Sequence, residues 1–161
     1  MKTTQSIPAF ALTLALLSGA GCGDHDHDHG RGASAGGGHK HGSKQGGVAV
    51  ELGEHQFQLD VLHDPAAGAL TAWVMDGHME NFIRIPAPSL AVTVKAGGAT
   101  NTVSLQAIAN AATGETVGNT SQFRGEAAWL KGLTNFQATV DALEIRGSRF
   151  QSVSFSYPGA R

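Results

Sequence analysis

The chain has 161 residues, 11 Lys and Arg against 13 Asp and Glu, a formal net charge of −2, 22 glycines and one cysteine. That length makes one modest domain plus appendages, the near-neutral charge leaves no electrostatic footprint for nucleic acid, and a lone cysteine forms no intramolecular disulfide. With 6% aromatics and turn-forming residues set between short apolar runs, the composition favours a β-rich domain over a helical bundle.

Residues 1–21 read as a secretory signal peptide: Lys2 supplies a thin positive region, Ala9 to Leu17 an apolar stretch, and "SGAG" a small-residue processing site. That stretch is far shorter than the roughly 20 residues needed to span a bilayer, so the chain is expected to be exported and not held by a helix. Cys22 follows at once, with three readings: zinc ligand, free thiol or acylated anchor. A thiolate zinc site wants a second nearby cysteine, and an exposed thiol is a liability in an oxidising compartment, which favours the anchor. The run "LLSGAGC" resembles a bacterial lipoprotein signal, with Gly19 where a Leu or similar residue is usual. The resemblance implies that Cys22 is diacylated on sulfur and becomes the mature N-terminus. Acyl chains, at about 0.8 kcal/mol per buried CH₂, would then hold the protein at a membrane.

Residues 22–47 form a Gly/His-rich tether with no large apolar residue, and the composition predicts disorder because nothing offsets the entropy of ordering it. Its glycine content gives a root-mean-square reach of about 25–30 Å. In "DHDHDH", an extended chain puts His25, His27 and His29 on one side and Asp24, Asp26 and Asp28 on the other. Two or three imidazoles can then fold around one ion while the carboxylates offset its charge, and His39 and His41 add a second pair. Nitrogen donors favour Cu²⁺ most strongly, with Zn²⁺ and Ni²⁺ below it. A loose site of this kind suits capture and not catalysis, and the plain alternative is a hydrophilic spacer.

From Val48 the period becomes two. "HQFQLDVLHD" sets Phe57, Leu59 and Val61 on one face and Gln56, Gln58 and Asp60 on the other, as in a half-buried strand. "DPAAG" turns into the partner strand "ALTAWVM", and "NFIRI" stops at Pro86 and Pro88. "LAVTVKAGGATNTVSLQAI" is a hairpin that turns at Gly97 and Gly98, with Leu90, Val92, Val94, Val103 and Leu105 facing inward. A Gly/Asn/Thr-rich loop leads to "QFRGEAAWL", with a short helix predicted near Glu126 to Lys131, and then to "NFQATVDALEIRG" and "RFQSVSFSY". Phe136, Ala138 and Val140 share a parity that Leu143 and Ile145 break, which predicts a bulge or bend near Asp141. The expected architecture for residues 48–158 is an all-β, antiparallel two-sheet sandwich of seven or eight strands, with an all-β barrel as the alternative and 159–161 as a short tail. The stretch "HGSKQGGVAVELGEHQFQLDVLHD…GALTAWVMD" is similar to small β-domains of uncharacterised bacterial lipoproteins and of sequences found with heavy-metal efflux adaptor proteins. That similarity points to metal homeostasis in the envelope and transfers no residue roles.

Within the domain, "MDGHMEN" collects Met75, His78 and Met79, soft or borderline ligands suited to Cu(I), although Met75 ends an apolar strand, where a methionine more often fills the core, and "DGH" is turn chemistry. His55 and His63 lie at opposite ends of one strand, about 26 Å apart, too far to share an ion. No phosphate-binding glycine motif, HExxH or GxSxG occurs, and no nucleophile can be assigned to His63 and Asp64, so no enzyme is expected. The sequence therefore predicts an exported, membrane-anchored lipoprotein facing the periplasm or cell surface. It would bind Cu, Zn or Ni through its tail and serve a metal-efflux component as envelope partner. The competing prediction is an interaction lipoprotein whose domain binds a protein or glycan, with the tail as spacer.

Overall fold

The computed structural model describes residues 42–159. Eight strands carry the fold: β1 Val48–Leu52, β2 Phe57–Asp64, β3 Ala69–Asp76, β4 Ser89–Ala96, β5 Ala99–Ala107, β6 Gln122–Glu126, β7 Phe136–Ile145 and β8 Ser148–Tyr157. The expected short helix is a single 3₁₀ turn, Ala128–Leu130.

All eight strands join one antiparallel sheet in the order β1-β2-β3-β6-β5-β4-β7-β8, rolled into a nearly closed barrel. The two-sheet sandwich is corrected by this ladder. β6 pairs with β3 on one side, Thr71 opposite Arg124, and with β5 on the other, Gln106 opposite Arg124, so no break divides the strands into two layers. Alternation along a strand reports which side chains face inward, but not which strands are neighbours, so both architectures satisfy the same pattern. Gly125 sits in the buried face of β6, where a Cβ would lie 2.6 Å from the Ser104 carbonyl oxygen of β5 and 2.9 Å from Leu105. A glycine in a strand at such a close approach is what a barrel corner requires.

The hairpins follow the reading by period. Leu90, Val92 and Val94 of β4 and Val103 and Leu105 of β5 point inward and are buried. Leu59, Val61, Leu70, Ala72, Val74, Phe123, Phe136, Ala138 and Val140 join them in one contiguous core. An eight-stranded barrel has an interior just wide enough for side chains to fill, and these fill it. Outward positions of β5, β4, β7 and β8 carry mostly Thr, Ser, Gln and charged residues, while β3 sets Trp73 and Met75 outward opposite Asp60 and Gln58. The predicted irregularity at Asp141 is present and two-sided. β7 and β8 keep the same register on either side of it, Val140 opposite Val153 and Ala142 opposite Gln151, while Asp141 and Ser152 stand outside the ladder. Ser152 adopts a left-handed φ of 52° there, and both strands exchange their inward parity at that point.

The seam lies between β1 and β8. No ladder joins them, and side chains of β8 reach across to β2: Phe150 meets Phe57 edge-on at 6.2 Å, and Tyr157 meets the His63 ring edge-on at 5.5 Å and donates to the His63 carbonyl at 3.5 Å.

β2 differs from its expected half-buried form, since Gln58 and Asp60 on its outward side are 3% and 0% exposed. The cover over Asp60 is the chain just before β1. The Ser43 hydroxyl donates to Asp60 Oδ1 at 2.5 Å, and the Lys44 and Gln45 amides donate to Oδ2 at 2.8 and 3.0 Å. Ser43 Oγ in turn accepts from the Gly47 amide at 2.7 Å. Gly47 has to be glycine, because a Cβ there would lie 1.9 Å from the Val61 carbonyl oxygen. The end of the Gly/His-rich tether is thus built into the barrel wall.

Asp60→Ala removes the acceptor of three hydrogen bonds, at about 1.5–3 kcal/mol for a bond to a charged group. The expected result is a lowered urea midpoint together with faster tryptic cleavage after Lys44. An unchanged midpoint and cleavage rate would show that the clasp contributes nothing.

Candidate functional site

The turn that follows β3 holds the domain's only sequence-predicted ligand cluster. Asp76 organises it: its carboxylate accepts from the Glu80 amide at 2.8 Å and the Asn81 side chain at 2.6 Å, while its carbonyl accepts from the Met79 amide at 3.0 Å. Gly77 passes under His55, where a Cβ would lie 1.7 Å from the His55 carbonyl oxygen. Gln58 Nε2 donates to the Gly77 carbonyl at 3.3 Å, tying the turn to β2. Met79, at a left-handed φ of 57°, is driven back onto the sheet. Met75 and Met79 are 2% and 1% exposed, whereas His78 lies on the surface. The turn therefore buries both thioethers and presents the imidazole to solvent.

Loss of a proton from Asp76 is favoured. Burial raises its pKa, but the donors Asn81 and Glu80, with His78 nearby, outweigh burial and hold it below the usual aspartate range. Glu115 is the second such group. Burial again opposes, and bonds from Ser121 and Thr113, with Arg84 3.9 Å away, bring its pKa below the ordinary glutamate value. Ser121 donates to it through both amide and hydroxyl, at 2.9 and 2.6 Å. Arg84 also donates to the Thr113 carbonyl. Asp64 is held down chiefly by the Ala67 amide, which it accepts at 3.0 Å, with Ala66 adding a second bond at 2.9 Å.

Asp64 thus serves its own turn and not the adjacent imidazole. His63 is 4% exposed at one end of the core. Its Nε2 lies 3.1 Å from the Leu130 carbonyl oxygen, which requires the proton on Nε2. Its Nδ1 has no hydrogen-bond partner, and the Phe136 and Tyr157 rings meet it edge-on at 5.3 and 5.5 Å. Among the described residues, no serine or cysteine side chain bonds the ring. His55 lies in the exposed β1–β2 turn at a φ of 66°, beside Glu51 at 3.6 Å. Only His63 lies in β2, and His55 falls in the turn before it, which differs from the expected placement of the two histidines at the ends of one strand. Trp73 and Trp129 are half-buried, the latter against the core.

Among the described residues, no group of three or more His, Cys, Asp or Glu side chains is gathered as a metal site. The tail residues Cys22, Asp24, His25, Asp26, His27, Asp28, His29, His39 and His41 lie outside the described residues. What the sequence reading missed is the Asp60 clasp. Its signal is "SKQGG", a hydroxyl followed by two glycines, but the carboxylate it serves is 16 residues from Lys44 and carries an outward parity. No protein-family model matches this chain, and comparisons with curated proteins and solved structures also find no match.

For Asp76 and Glu115 the unfolded chain binds protons that the folded one does not. Their contribution to stability is complete above the ordinary carboxylate values and is lost as pH falls through the lowered folded ones. Glu115→Gln is expected to lose less stability than the parent as pH falls below about 4.5, read as the urea midpoint against pH. Parallel curves would contradict the assignment.

Proposed function

We propose that this protein is an exported, lipid-anchored metal-binding protein of the cell envelope, in which the chain between Cys22 and the barrel captures divalent transition metal and the barrel is its holder. The observation that carries the reading is the serial order of devices: a signal ending at Cys22, three Asp-His pairs, a glycine-rich run with His39 and His41, and a clasp at Ser43. Each device supplies one requirement of capture at a surface, namely attachment, ligands, reach and a fixed root.

The ligand chemistry is that of neutral imidazole, which binds Cu²⁺, Zn²⁺ or Ni²⁺ above its reference pKa of about 6.5 and releases them in mild acid. The Asp24, Asp26 and Asp28 carboxylates reduce the charge cost of loading a dication. Within the barrel, the lowered carboxylates already accept bonds from their own turns, which supports assigning capture to the tail. Of the Met75, His78 and Met79 cluster only His78 lies on the surface, and it alone is a secondary ligand of this proposal. A holder of captured metal at a membrane would serve as an accessory to an efflux system, passing on ions that exchange readily from a loose site.

Equilibrium dialysis against Zn²⁺ and Cu²⁺ at neutral pH, on the full chain and on a chain lacking residues 23–41, tests the reading. That deletion leaves the Ser43 clasp in place. The expected result is stoichiometric binding by the full chain and its loss in the deletion; undiminished binding would remove the tail from the function.

A further inference from the structure

Outside the barrel, β5, β4, β7 and β8 lie side by side and present a polar face that the metal-binding reading does not use. Their register aligns it in rows. Thr102, Thr93, Thr139 and Ser154 stand directly opposite one another across the four strands, and Thr100, Lys95, Gln137 and Ser156 form the next row. Residues facing each other this way have Cβ atoms about 4.5–5.5 Å apart. Within the first row, Thr93 Oγ1 and Thr102 Oγ1 are 3.1 Å apart, and Thr139 Oγ1 and Ser154 Oγ 3.0 Å. A depression of about 280 Å³ opens across β4, β7 and β8, lined by Lys95, Gln137, Thr139, Ser154 and Ser156 over the backbone of Ala138 and Phe155.

The chemistry of that lining narrows its occupant. Hydroxyls and a carboxamide each donate and accept, and Lys95 only donates, so the surface matches a molecule with many groups that do both. A nucleic acid would need several cations, and the depression has one. A metal ion would need carboxylates or imidazoles, and none lines it. No apolar side chain stands in either row to seat the side chains of a peptide. The volume lies just below the roughly 300–1,000 Å³ of ordinary small-molecule sites, enough for about one pyranose ring at a time.

We propose that this face binds acidic polyhydroxylated sugars, with the carboxylate of a uronic-acid unit at Lys95 and its hydroxyls at Gln137, Thr139, Ser154 and Ser156. The face runs on through Thr93 and Thr102, where Thr93 donates to Asp141 Oδ1 at 3.3 Å, a carboxylate that repels a second acid, so the one acidic contact is at Lys95 and the adjoining unit is held by its hydroxyls. The site is separate from the tail and does not depend on metal. An open, aromatic-free surface binds weakly and reversibly, which suits holding a protein beside a polysaccharide that repeats many times.

Amide NMR of the full chain titrated with a galacturonic acid trimer, and in parallel with a galactose trimer, tests the proposal. The acidic trimer is expected to give saturable shifts at residues 93–95, 137–139 and 154–156. Lys95→Met should weaken that binding by roughly threefold to fivefold, the range of one exposed ion pair, and leave the galactose trimer unaffected. Thr139→Val with Ser154→Ala should weaken both trimers while the remaining spectrum shows the barrel intact. No saturable shift at millimolar trimer, shifts elsewhere on the barrel, or equal affinity in Lys95→Met would overturn it.

Discussion

The double pairing of β6 is the constraint on which the rest of the barrel depends. Five residues, Gln122–Glu126, link the β1–β3 meander to the block of β5, β4, β7 and β8, and without them the strands would fall into two separate sheets. Gly125 makes the link sterically feasible, because β5 passes where its side chain would be. Once the sheet is continuous and rolled, every inward position faces one shared interior. Leu59, Leu70, Val74, Phe123, Leu90, Leu105 and Ile145 then sit in a single core at 2% exposure or less. The remaining seam has no strand ladder and is bridged by side chains, Phe150 against Phe57 and Tyr157 against His63.

Local pattern revealed the hairpins and little of their arrangement. The β4–β5 hairpin, its Gly97-Gly98 turn and its inward residues follow from alternation and turn chemistry alone. So does the change of parity at Asp141, although its counterpart Ser152 is invisible without the register, because the matching irregularity sits in another strand. The choice between sandwich and barrel rests on the pairing of β3 with β6, about 50 residues apart, Thr71 opposite Arg124, and no periodicity encodes that pairing. Asp60 illustrates the same limit for a side chain. An outward carboxylate in a strand reads as solvated, and only the folded chain shows Ser43, Lys44 and Gln45 covering it.

The candidate ligands divide in the same way. That Met75 fills space was legible from its place at the end of an apolar strand; the burial of Met79 was not, because it follows from a left-handed backbone in a turn held by Asp76. Across the barrel, carboxylates with lowered pKa are spent on neighbouring amides and hydroxyls, and the one buried imidazole bonds a carbonyl. Apart from His63 Nδ1, these are the satisfied polar groups of a scaffold. The outward hydroxyl rows of β5, β4, β7 and β8 stand apart from these groups.

The central proposal is that one chain joins a lipid anchor, a metal-capturing segment and a barrel that holds it. Intact mass of the native protein extracted from membranes, taken together with its metal content, tests it most directly. The account predicts a chain beginning at Cys22 that carries the added mass of two or three acyl groups and copurifies with copper, zinc or nickel. A chain with unmodified Cys22 and no transition metal would contradict it.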